Sequence, residues 1–122
     1  QSDLHTLISF HHHPIPMGSE WLDKIGLHNN QEFFDLIAQH SNVRAVLWGH
    51  VHQESDRLIN NVRYISTPST CIQFKPEATE FTIDEAAPGY RWLELNADGT
   101  IETGVERVND VAFNVDINGT GY

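Results

Sequence analysis

The sequence predicts an α/β fold in which a βαβ unit is followed by mostly antiparallel strands. Two short apolar runs, residues 5–10 and 43–47, flank one amphipathic helical stretch, the order of a strand, a crossover and a parallel strand with a right-handed connection. Beyond residue 52 the pattern changes to short runs of apolar and polar residues separated by Asn- and Gly-containing turns, which reads as hairpins. The 122 residues suffice for one core and are too few for two ordinary ones.

His5-Thr6-Leu7-Ile8-Ser9-Phe10 is the first expected strand, stopped by Pro14 and Pro16, which cannot donate to a ladder. Residues 17–29 read as a long loop with at most one helical turn, and Trp21 as an anchor packing that loop on the domain. The helix is expected from Asn29 or Asn30 through His40. Asn29 and Glu32 resemble a capping box, and Phe33, Leu36, Ile37 and His40 form the apolar stripe with Phe34 beside it. Val43-Arg44-Ala45-Val46-Leu47 is a buried strand by its β-branched and apolar content. Further strands are expected at 57–59, 62–66, 80–83, 90–95 and 100–108, with Asn60-Asn61 and Asn96-Ala97-Asp98-Gly99 as turns. Residues 1–109 form one folded unit and 110–122 a polar tail, in which Asn118-Gly119-Thr120 is a chance sequon.

A net charge of −10 leaves nothing to neutralise a nucleic-acid backbone, so nucleic acid is excluded as a partner, and a phosphorylated ligand would need bound cations. With one cysteine no internal disulfide forms, and Cys71 is expected to be a small buried apolar residue. No run reaches the roughly 20 apolar residues that span a bilayer, and no signal peptide opens the sequence, so the expectation is a cytoplasmic protein with no membrane partner.

Eight histidines are the unusual feature. His50 and His52 follow the end of an apolar strand two residues apart, so an extended backbone would turn both rings to one side. Gly49 removes a Cβ where that strand turns out into a loop, leaving room for a ligand. Neutral imidazole is the commonest metal-ligating side chain. A second cluster, His11-His12-His13-Pro14, ends the other apolar strand.

Phe10-His11-His12-His13-Pro14-Ile15-Pro16-Met17-Gly18, Gly49-His50-Val51-His52-Gln53-Glu54 and Thr67-Pro68-Ser69-Thr70-Cys71-Ile72-Gln73-Phe74-Lys75-Pro76 resemble motifs of the bacterial class III 3′,5′-cyclic-AMP phosphodiesterases. Those enzymes belong to the calcineurin-like metallophosphoesterase superfamily. Ala87-Pro88-Gly89-Tyr90-Arg91 and Gly121-Tyr122 extend the likeness. The resemblance implies a two-sheet αββα sandwich. It also implies two divalent metal ions of the Fe, Mn or Zn class, and hydrolysis of cyclic AMP to 5′-AMP by metal-hydroxide attack. It makes His12, His50 and His52 the metal ligands, with His13 contacting phosphate or supporting His12, and the polar loop residues Ser69 and Thr70 touching substrate.

The family's earlier Gly-Asp and Gly-Asn-His motifs do not occur here, and Asp3-Leu4-His5 matches its Asp-x-His only in letters, with just six residues between it and His12. The expectation is therefore the C-terminal half of the domain, with the remaining ligands and the leaving-group acid upstream. Such a half would be inactive alone and would self-associate through its uncovered apolar face. Two alternatives stay open: another phosphodiesterase or phosphatase of the superfamily, and a non-catalytic histidine-rich metal-binding module.

Overall fold

A computed structural model describes residues 4–110 and 116. Asp3, the sequon and nearly all of the expected tail, including Gly121-Tyr122, lie outside the described residues. The elements run β1 (Thr6–Phe10), α1 (Glu20–Asp23), α2 (Asn30–Ile37), β2 (Val43–Trp48), β3 (Ser55–Ile59), β4 (Val62–Ser66), β5 (Gln73–Phe74), β6 (Ile83–Asp84), β7 (Gly89–Leu95) and β8 (Ile101–Arg107). The α/β class and the βαβ unit hold.

β1 and β2 pair in parallel, and so do β2 and β4, while β3 closes the sheet antiparallel to β4, giving the order β1-β2-β4-β3. β2 is the buried centre: Val43, Ala45, Val46 and Trp48 are all enclosed, as expected of a parallel strand covered on both faces. The β3–β4 hairpin turns through Asn60 and Asn61, both at positive φ (50° and 64°), the left-handed pair that a two-residue hairpin requires and that Asn tolerates. β5–β6 and β7–β8 are separate two-stranded antiparallel ribbons.

The core joins the central strands to the segment between β1 and β2, through Val43, Val46, Trp48, Val51, Tyr64, Ile37, Leu22 and Met17. α2 is shorter than expected and faces inward through Phe33, Phe34 and Ile37, whereas Leu36 is 55% exposed. The expected stripe was displaced because the second aromatic, Phe34, takes the place of Leu36 against Tyr64 (ring centroids 6.0 Å). Nor does the capping box form. Asn29 makes no side-chain cap hydrogen bond, and its carbonyl alone starts the helix by accepting from Phe33 N at 3.2 Å. Trp21 packs as an anchor, edge-on to Phe74 and Phe81 at 5.3 and 5.2 Å. Of the strand expected at 80–83 only Ile83 pairs, and the two-residue β5 has too short a pattern to be legible. Cys71 is exposed, which corrects the expectation of burial: it lies in a tight turn where its N–H donates to Ser69 Oγ at 3.0 Å.

Arginines hold the β7–β8 ribbon to the sheet. Arg91 donates to Ser66 O at 2.9 Å, Ser55 O at 3.3 Å and Thr103 Oγ1 at 3.2 Å. Arg63 pairs with Asp56 and also donates to Ile101 O. Arg107 reaches Ala87 O at 2.7 Å and Glu54 at 2.8 Å. At the far end the ribbon's turn places Gly99 (φ 86°) so close to the sheet that a Cβ would stand 2.7 Å from both His5 and Arg44.

Candidate metal centre

The C-terminal ends of the two parallel strands β1 and β2 lie side by side, Phe10 opposite Trp48, and each runs directly into histidines. Parallel pairing thus brings residues 11–13 against residue 50, some 40 positions on. His12 and His50 have ring centroids 4.5 Å apart, and His11 and His50 5.0 Å, with His50 Nδ1 3.3 Å from His11 Nε2. His13 lies beneath, nearly parallel to His50 (5.9 Å, 14° between planes). Phe10, His11, His12, Leu27, Asn29 and Phe33 line a hollow of about 300 Å³ beside the cluster.

The backbone route differs from the expected one. β2 stops at Trp48, and His50 and His52 both adopt left-handed φ (60° and 49°) rather than an extended conformation. Val51 N donates to Gly49 O at 2.6 Å across a three-residue turn centred on His50, a strained conformation for a residue with a Cβ. The buried Val51 is driven into the core between the two histidines, and the left-handed residues on either side accommodate it. A Cβ on Gly49 would meet His11 Nδ1 at an ordinary 3.6 Å.

His52 is placed apart from the other rings. It stacks on Phe74 (4.1 Å, 12°), and its carbonyl accepts from Phe74 N at 3.3 Å. His12 and His50 are therefore brought together, while His52 stands beside them on another wall, close enough to His50 for their charges to interact. Among the described residues no group of three His, Cys, Asp or Glu side chains is arranged to hold a metal ion. His5 sits at the opposite end of β1, accepting from Arg44 Nε at 3.1 Å, and takes no part.

Burial disfavours the charged form of three of the rings, His50, His13 and His52. Burial, followed by repulsion from His12, His11, His13 and His52, pushes the His50 pKa down to about 4. Burial also lowers His13, against the pull of Asp23, and His52, against a backbone hydrogen bond at Ile72. His50 Nε2, His52 Nδ1 and both nitrogens of His13 are enclosed without a hydrogen-bond partner. Enclosed neutral imidazoles with unused lone pairs are the donor set that a divalent cation takes.

Ser69 and Thr70 lie in the loop after β4, and Ser69 is engaged in its own turn. Its N–H donates to Gln73 Oε1 (3.0 Å), and its carbonyl accepts from Gln73 Nε2 (2.8 Å) and Gly89 N (2.9 Å). Thr70 is exposed. Sequence reasoning left four residues without a role here: His11, Phe74 behind His52, and the buried Gln73 that shapes the loop, together with Asp23 beside His13. The first three stand in the quoted motifs, but only the fold shows what they touch.

Three relatives decide the kinship. The 3′,5′-cyclic adenosine monophosphate phosphodiesterase CpdA of Pseudomonas aeruginosa is 55% identical over 95% of this chain. CpdA of Escherichia coli K12 is 48% identical over 97%, and a 3′,5′-cyclic-nucleotide phosphodiesterase of Nostoc 48% over 84%. This chain is homologous to part of the bacterial cyclic AMP phosphodiesterases. It spans 43% of the length of the first two relatives and 39% of the third. The resemblance drawn from the histidine motifs is thereby upheld. No family model matches the chain. Among the described residues no helix is long and apolar enough to cross a membrane.

Proposed function

We propose that this chain supplies one wall of a two-metal site that hydrolyses 3′,5′-cyclic AMP to 5′-AMP, within an αββα sandwich completed by residues beyond this chain. The carrying observation is the convergence of His12 and His50 from two strand ends, with unpartnered nitrogens on His50 and His52. His12, His50 and His52 would hold the cations, His52 on its own wall serving a different ion from His12. When bound, such cations attract the phosphoryl oxygens and make a water acidic enough to attack near neutral pH. The chain's own residues favour the neutral form of His50 and His52 and enclose an inner nitrogen of each, and the cations they would hold would offset a net charge of −10 that otherwise repels a phosphate. The Ser69–Gln73 loop, tied to His52 through Phe74, would border the substrate, with Thr70 as its exposed polar side chain. The chain alone is expected to hydrolyse no cyclic AMP, in keeping with the lack of three assembled ligands among the described residues. Its exposed Leu58, Leu95 and Tyr90 make it self-associate when isolated, a state read by sedimentation. The lone cysteine suits a cytoplasmic setting.

The test is a chimera in which this chain replaces the matching segment of the Pseudomonas aeruginosa relative. We expect cyclic AMP hydrolysis within about tenfold of the parent, falling at least about a hundredfold with His12→Ala, His50→Ala or His52→Ala together with loss of bound metal. A folded, metal-loaded chimera that leaves cyclic AMP intact would remove the proposal.

A further inference from the structure

The proposed site gives no task to its most deeply buried imidazole. His13 is 2% exposed, although the two histidines before it are exposed. Gly26 closes over it: a Cβ there would stand 2.8 Å from His13 Nε2 and 3.1 Å from its carbonyl oxygen. Leu27 N donates to that carbonyl at 2.9 Å and ties the covering loop down. Asp23 Oδ1 stands 3.6 Å from Nε2, beyond hydrogen-bond distance, and its carboxylate is itself fixed by the N–H groups of Met17 (2.7 Å) and Gly18 (3.1 Å). The ring so held runs nearly parallel to that of His50 (14°) with centroids 5.9 Å apart; His12 and His11 stand closer, at 4.5 and 5.0 Å, but are exposed.

We infer that His13 is a positioning residue: clamped between Gly26 and Asp23, its ring sets the plane of the His50 ring and thereby the direction in which Nε2 points. His50 has need of such a support. It sits in a left-handed turn, and its other ring neighbours, His11 (3.3 Å from its Nδ1) and His12, are exposed side chains, so His13 is the one buried ring beside it. Groups that orient a metal-binding imidazole change metal affinity by about 10–100-fold when removed. A contact from His13 to substrate is difficult at 2% exposure, and a ligand role through Nε2 would require that atom to leave the Gly26 side. The inference depends on the metal-binding reading of His50.

The experiment uses the chain itself with histidine-labelled NMR and a Zn²⁺ titration. In the wild type, His13 and His50 ring protons give a mutual nuclear Overhauser contact. His13→Phe, which keeps a flat ring, retains Zn²⁺ affinity within about threefold. His13→Ala and His13→Gln, which lose it, weaken binding about tenfold and displace the His50 ring signals. His40→Ala, at an exposed position, changes neither. A folded His13→Phe that loses as much affinity as His13→Ala makes His13 a ligand, and unchanged affinity in folded His13→Ala makes it mere filler; either overturns the inference. Absence of the ring contact in the wild type overturns it without any variant having to fold. A wild type that binds no Zn²⁺ defeats the metal reading alone, and the ring contact with the His50 shifts in His13→Gln then decides the positioning role.

Discussion

The histidine cluster and the arginine clamp place similar numbers of polar side chains against the same sheet and treat them oppositely. Every arginine that ties the β7–β8 ribbon down has acceptors: Arg91 reaches two backbone carbonyls and a hydroxyl, Arg63 a carboxylate and a carbonyl, and Arg107 likewise. In the cluster, enclosed nitrogens of His13, His50 and His52 have none, and two of these residues hold left-handed backbone. Satisfied buried donors stabilise a fold, whereas unsatisfied ones together with backbone strain mark where a structure is kept for another purpose. The difference sets the cluster apart from the clamp, although Ser19 Oγ and the indole nitrogens of Trp21 and Trp48 are enclosed without partners too.

The largest expected effect is at the clamp. Arg91→Ala strands the carbonyls of Ser66 and Ser55 and should cost about 3 kcal/mol in urea unfolding, and Arg91→Lys should recover less than half, because a point charge cannot replace the planar fork. A loss below about 1 kcal/mol would erase the contrast. Next comes pH, which acts on the cluster. His50 titrates at about 4 when folded against 6.5 when free, so the unfolded chain takes up protons first as pH falls. Stability is fully present above pH 6.5, declines through the window down to about 4 and levels off below, with His13 and His52 acting in the same direction. Discounted for the partial exposure of the ring, the loss is on the order of 1 kcal/mol, and a urea midpoint that is flat across this window in the metal-free chain would contradict it. A smaller effect of opposite sign is expected for His50→Gly. Relief of the left-handed strain and of an enclosed nitrogen should leave thermal stability unchanged or raise it by up to about 1 kcal/mol, while Zn²⁺ affinity falls. The smallest is Glu54→Gln, within about 0.5 kcal/mol by denaturation, since this exposed partner of Arg107 is backed by Ala87 O.

What was legible in the sequence follows the reach of each interaction. β4 and its Asn60-Asn61 turn were readable residue by residue because period-two patterning and left-handed Asn are local rules. The two histidine clusters were readable as motifs, and parallel pairing of their strands then made their meeting unavoidable. An extended backbone does not carry His50 and His52 to one side: both are left-handed, and the burial of Val51 sets the local path. Leu36 could not be told from Phe34 by periodicity, because both fit a helical face and only the position of Tyr64 chooses. The arginine clamp was invisible: its donors meet carbonyls up to 38 positions away, and carbonyls carry no letter in a sequence.

That last property has an evolutionary consequence. Arg91 grips main-chain oxygens of Ser55 and Ser66, which every residue type presents alike, so this grip itself makes no demand on the side chains of the strands beneath it. A single deletion in β3 or β4 would instead slide those oxygens out from under the guanidinium and turn every neighbouring side chain to the opposite face. As far as this grip is concerned, descendants of this chain should vary in the spelling of these strands and hardly at all in their spacing.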